Sequence, residues 1–491
     1  MATQGSRLGL RHLDIIPIRA RFSRPVTRRI FAFDEGADLA RSLPPGFRWG
    51  VATAAYQIEG AVDEDGRGTS IWDTFSHEPG RTRDGHTGDV ACDHYHRWPE
   101  DVRLMAGLGV HDYRFSVAWP RIQPTGAGPV NAAGLDFYDR LTDGLLEHGI
   151  TPNPTLYHWD LPQPLEDRGG WLNRDTAHRF AEYADAVAER LADRVGMWMT
   201  LNEPVVVMAY GYAFGLHAPG RALVLDALPT AHHQLLAHGL AVGALRARGA
   251  RRIAIANHYI PAWPAGETAG DIAAAEAFDI LINRLFTEPI LLGRYPDLSA
   301  LGAAGALAAG HGAGPADPGD LPVVRDGDLD VISAPIDALG VNYYQPNLLA
   351  AAPEGPLPFD IRPVEGRPTT GTGWPVVPEA LRDLLLDLRR RYGGALPPVH
   401  ITENGCSYDE RLDDADRVAF LDAHLRAVRE AIDEGVDVRG YYVWSLMDNF
   451  EWAEGYHPRF GLVHIDYATQ RRTPRASYAW YRDLIAAHRA R

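Results

Sequence analysis

Two glutamates define the chemistry that this sequence can support. Residues 200–204 read Thr-Leu-Asn-Glu-Pro and follow the apolar run 195–199, which has the character of a buried strand. Pro204 lacks the N–H needed to continue it, so Glu203 is delivered at a strand's C-terminal edge. Further along, the β-type run 398–402 is closed by Glu403, Asn404 and Gly405, again a carboxylate followed by turn residues. A single strand-end glutamate also suits a solvated loop or a helix N-cap partner. Two of them are what a paired-carboxylate mechanism requires.

Strands and helices must alternate to bring these two ends together. Strand patterns fall at 48–56, 111–117, 151–158, 197–203, 252–259, 338–344, 399–403 and 439–445, with apolar-periodic helices between them, such as 175–193, 228–247 and 413–434. Eight such units predict an α/β fold, a (β/α)8 TIM barrel forming one domain with long βα loops. No glycine-rich phosphate loop follows the first strand. In this architecture the chemistry gathers at the C-terminal strand edges. Gln57, His158, Asn202 with Glu203, Asn342 with Tyr344, Glu403 and Trp444 fall there, and Arg114 lies within the second strand. Two stretches rich in Gly and Pro, 302–328 and 351–375, read as long loops, the second placed to roof the site.

Composition narrows the partners. A net charge of -16 excludes a nucleic-acid surface. The chain has no lysine, its 48 basic residues all being arginine, which rules out Schiff-base, pyridoxal-phosphate and P-loop chemistry. Cys92 and Cys406 are too few for a disulfide framework and fit a reducing, cytoplasmic compartment. No apolar run reaches the roughly 20 residues of a membrane span. His94 and His96 flank Tyr95 without further placed ligands, so neither a metal nor a cofactor is expected. The chain is read as residues 1–44, an Arg-rich and disordered extension outside the packed protein, and residues 45–491, the barrel. The alternative for the extension is an Arg-rich targeting segment. A homo-oligomer stays open.

The rim offers two glutamates, amides and imidazoles able to bond hydroxyls, and tryptophans with flat faces, which are the parts of a sugar site. Segments 49–60, 65–68, 88–95, 113–116, 157–162, 200–204, 342–344, 402–405 and 444–452 together closely resemble the β-glucosidases of glycoside hydrolase family 1, over about 47–481. The resemblance implies Glu203 as general acid and later base, and Glu403 as the nucleophile that forms a covalent glycosyl-enzyme. It also implies Arg114 and Tyr344 as the groups that keep Glu403 ionised. Gln57, His158, Asn202, Glu451 and Trp452 would bind the non-reducing sugar, Trp444 would be its platform, and Trp374 would face the leaving group; Asn342 joins this set.

Retention requires the two carboxyl groups about 5 to 5.5 Å apart. The implied substrates are β-glucosides and short β-linked oligosaccharides, with galactosyl or fucosyl units tolerated. A 6-phospho-β-glucosidase and a non-catalytic sugar-binding barrel are the alternatives. The first is opposed by Glu451 and the missing lysine, the second by both glutamates with Arg114 and Tyr344.

Overall fold

Eight parallel strands close on themselves: β1 (Arg48–Ala52), β2 (Asp112–Ser116), β3 (Thr151–Tyr157), β4 (Trp198–Asn202), β5 (Ile253–His258), β6 (Ala338–Asn342), β7 (Val399–Asn404) and β8 (Val438–Trp444). Each pairs with its neighbour in sequence and β8 pairs with β1. This is a (β/α)8 barrel, in a computed structural model that describes residues 33–301, 321, 323–355 and 357–490. The expected first strand stops four residues early. Ala55–Ile58 forms a helical turn because the Ala55 N–H turns to the Ser116 hydroxyl, 2.7 Å away.

The outer ring consists of α1 (His94–Leu108), α2 (Ala132–Glu147), α3 (Asp175–Leu191), α4 (Leu228–Ala247), α5 (Ala269–Asp279), α6 (Pro378–Tyr392), α7 (Ala415–Asp433) and α8 (Ala476–Arg489). α3 shows why such segments are helices: Phe180, Tyr183, Ala184, Val187 and Leu191 recur at helical spacing and are all buried. The barrel lumen is packed. A Cβ on Gly50 would meet the Tyr442 ring at 2.3 Å, so only glycine lets that ring cross the lumen. The Tyr442 hydroxyl donates to Asp112 (3.1 Å) and accepts from Asn153 (3.0 Å). These hydrogen bonds tie β8 to β2 and β3 across the end of the barrel away from the site.

Two expectations need correction. The packed chain begins before Pro44: Phe33–Ser42 is a helix, Leu39, Ala40 and Leu43 are buried, and the segment packs against α8. A helix with few apolar residues beside an Arg-rich stretch has a weak sequence pattern, and only its tertiary partner makes burial of those few residues favourable. Residues 1–32 lie outside the described residues. The stretch 351–375 is not one long loop, because Phe359–Arg362 pairs antiparallel with Asn347–Ala351, which pairs in turn with Ala262–Pro264. Of the other expected loop, 302–320 and 322 lie outside the described residues. Its end, Asp328, begins the helix Asp328–Ile332 and binds Arg174 and His232.

Candidate active site

Both glutamates leave the barrel where its register breaks. β4 shifts against β5 between Met199 and Asn202, and β7 shifts against β6 between Ile401 and Glu403. Such irregularities re-aim side chains at barrel rims. Glu203 adopts a left-handed backbone (φ 46°), uncommon for a residue with a Cβ. Its N–H is tied to the Ala256 carbonyl at 2.8 Å, and Pro204 opens a helical turn directly behind it.

Hydrogen bonds link the two glutamates through three side chains. Arg114 donates from Nη1 to Glu403 Oε1 (2.6 Å) and from Nη2 to Asn202 Oδ1 (2.5 Å). Asn342 Nδ2 donates to the same Asn202 oxygen (3.0 Å) and to Glu203 Oε1 (2.7 Å), while its Oδ1 accepts from the Thr402 hydroxyl (2.6 Å). The Tyr344 hydroxyl donates to Glu403 Oε2 at 2.7 Å. With Asn202 Oδ1 taken by two donors, its Nδ2 faces His158 Nε2 (3.0 Å), which accepts. Burial holds His158 well below the ordinary histidine range, so the ring is neutral and carries its hydrogen on Nδ1.

The remaining predicted residues surround this chain. Gln57 Nε2 donates to Asn449, to the Phe450 carbonyl and, at 3.4 Å, to Glu451 Oε2. Trp444 stacks near His158 (5.8 Å, 25°), Trp452 lies against both His158 and Trp159, and Trp374 meets Tyr344 edge-on at 5.4 Å. His158 Nδ1 and Gln57 Oε1 are buried without a hydrogen-bond partner among the described residues. All twelve residues singled out from the sequence belong to one connected cluster.

The glycosyl hydrolase family 1 model matches residues 39–490. The chain belongs to that family. This hydrolase is 54% identical over 462 residues to the thermostable β-glucosidase B of Thermobispora bispora, covering 92% of each chain. It is 45% identical to a bifunctional β-D-glucosidase/β-D-fucosidase of Bifidobacterium breve, covering 91% of this chain and 99% of the relative. Its fold superimposes on the family 1 β-glucosidase of Thermotoga maritima with a TM-score of 0.85 at 44% identity, covering 91% and 98% of the two chains.

In the hydrolase the two carboxyls feel opposite surroundings. Burial pushes Glu403 up to about 7, opposed by Arg114 and Tyr344 and reinforced by the Glu203 charge. Burial also raises Glu203, but a charged His258, 3.1 Å from its Oε1, and Asn342 outweigh it and hold Glu203 below its ordinary value. With His258 charged, these directions put the proton on Glu403, the reverse of the sequence expectation. The support of Glu203 depends on a proton that His258 can lose, whereas that of Glu403 comes from a guanidinium. Arg114 and Tyr344 thus favour the charged form of Glu403, and His258 and Asn342 that of Glu203. Glu451 is pushed up to about 8 by burial and by the charges of Glu403 and Glu203.

His258 is the residue that reading the sequence missed. It ends β5, the one strand from which no rim residue was named, so the rule that located the others would have found it. His94 and His96 are held by carboxylates, His94 by Asp101 at 2.7 Å and His96 by Asp93 and Glu64. One further group, Asp84, His86 and His457, has its candidate ligand atoms within 4.8 Å of one another. There His86 Nδ1 accepts the Tyr456 N–H and so keeps its proton on Nε2, and His457 bonds Asp84 at 2.7 Å. This is a hydrogen-bonded contact between two loops.

Proposed function

We propose that this hydrolase is a retaining exo-β-glucosidase that removes terminal non-reducing β-D-glucosyl units, with galactosyl or fucosyl units as secondary substrates. The reading rests on the unequal support of the two glutamates: a fixed cation and a phenol on Glu403, an amide and a titratable imidazole on Glu203. The named β-glucosidase and β-fucosidase relatives support the sugar class.

In the first step Glu403 attacks the anomeric carbon while Glu203 protonates the departing oxygen. The glycosidic bond breaks as the glycosyl ester forms. Esterification removes the Glu403 charge, so Glu203, now ionised, takes a proton from water as water attacks and Glu403 leaves. His158 Nδ1–H is a free donor and Gln57 Oε1 a free acceptor, both beside Trp444 or Glu451, which suits the hydroxyls of one sugar ring. The resemblance gives Glu451 and Trp452 hydroxyls of the non-reducing sugar and Trp374 the leaving-group side.

The test uses p-nitrophenyl β-D-glucoside. Glu403→Gly is expected to abolish turnover, and azide to restore it with the α-glycosyl azide as product. Recovery of the β-azide would overturn the role of Glu403. Turnover by the unmodified enzyme of 6-phosphorylated glucosides alone would favour the phosphosugar alternative.

A further inference from the structure

His258 stands beside Glu203 without a part in the scheme above. We propose that His258 is the positioning residue of the acid/base: its Nδ1–H and the Asn342 amide together occupy Glu203 Oε1, which leaves Oε2 to carry the transferable proton. This rests on the proposed role of Glu203.

The backbone prepares the arrangement. His258 and Asn342 are register partners on β5 and β6, the Tyr259 N–H bonds the Asn342 carbonyl (3.0 Å), and the Glu203 N–H bonds the Ala256 carbonyl of the same β5. Two neighbouring strand ends thus present two N–H groups to one oxygen, at 2.7 and 3.1 Å. The Asn342 amide cannot turn round, because its oxygen accepts from Thr402. The Tyr344 ring lies 5.9 Å from the His258 ring, tilted by 30°. Glu203 Oε2 accepts no hydrogen bond from the described residues. In a carboxylic acid the oxygen that accepts two donors is the carbonyl-like one, so the proton belongs on the other. When Glu203 has given that proton away, the same two N–H groups hold the carboxylate until it acts as base.

The charged and titratable groups facing this pair come from several elements. They are Glu403 from β7, Arg114 from β2, Tyr344 after β6, and Tyr210 and His217 from the segment after β4. Burial opposes a charge on His258, but the Glu203 and Glu403 carboxylates outweigh it and hold the imidazole above its ordinary range. His217 is pushed down to about 4 by burial, so it is neutral and does not compete. His258 therefore adds a second action of the same sign: as a donor or as a cation, it lowers the proton affinity of Glu203.

The experiment compares His258→Ala and His258→Asn, the amide of asparagine standing near the position of Nδ1. The substrates are phenyl β-glucoside, whose leaving group needs the acid, and 2,4-dinitrophenyl β-glucoside, whose leaving group does not. For His258→Ala we expect kcat/KM to fall about 10- to 100-fold with the phenyl substrate and to change less than about threefold with the dinitrophenyl one. The alkaline limb of kcat/KM should move to higher pH, because Glu203 has lost what favoured its ionised form. His258→Asn should recover most of the phenyl rate. Equal losses on both substrates, an unmoved alkaline limb, or asparagine no better than alanine would overturn the inference. None of these would touch the proposed function, which fails only if the unmodified enzyme does not cleave β-glucosides with retention.

Discussion

The ends of β4 and β7 carry the same side chain and treat it differently. At β7, Glu403 has both oxygens engaged by groups whose protonation does not change near neutral pH, a guanidinium and a phenol that burial and the nearby carboxylates push far upward. At β4, Glu203 has one oxygen engaged, by an amide and an imidazole, and the imidazole can itself gain or lose a proton. Burial is the same at both ends. The difference lies in whether the neighbouring charge is fixed or can leave. On the proposed function, the fixed cation suits Glu403 to act as nucleophile and the titratable partner suits Glu203 to carry a proton.

The comparison can be tested first at its fixed side. Arg114→Lys leaves a charge but only one point of contact, and an ammonium cannot span both Glu403 and Asn202. Losing one charge-assisted hydrogen bond costs about 1.5–3 kcal/mol, so kcat/KM for p-nitrophenyl β-glucoside should fall about 10- to 150-fold. A loss below tenfold would mean that any cation suffices.

Tyr344→Phe removes one donor from Glu403 and should cost about 10- to 100-fold by the same arithmetic. The Tyr344 hydroxyl favours the ionised carboxylate. Without it the Glu403 pKa rises, and the acid limb of kcat/KM should move up by about one pH unit. Movement of the alkaline limb instead would assign Tyr344 to the wrong glutamate. The smallest effect concerns salt. Both carboxyls are buried, and screening acts weakly on buried charges. Raising sodium chloride from about 0.05 to about 0.5 M should displace either limb by less than about 0.2 pH unit, and a larger displacement would place the pair in contact with bulk solvent.

Much of this was legible in the chain. All eight strands appear where β-type runs end in polar or aromatic residues, because a parallel barrel strand is buried and presents most of its chemistry at the C-terminal edge, Arg114 within β2 being an exception. Glu203 and Glu403 were found in that way. The helix Phe33–Ser42 and the strand Phe359–Arg362 were not, since each is stabilised by a partner distant in sequence, α8 in one case and Asn347–Ala351 in the other. His258 was overlooked for a related reason. An Asn-His pair at a strand end has no chemical signature until the neighbouring strands supply Glu203 and Asn342.

Sequence by itself determined the residue types, the alternation that closes a barrel, and the family whose motifs run through the chain. Tertiary structure decided which oxygen of which glutamate each group touches. That choice depends on register shifts at Met199 to Asn202 and at Ile401 to Glu403. Such shifts arise from pairing between strands far apart in the chain and redirect a side chain without changing a single residue around it.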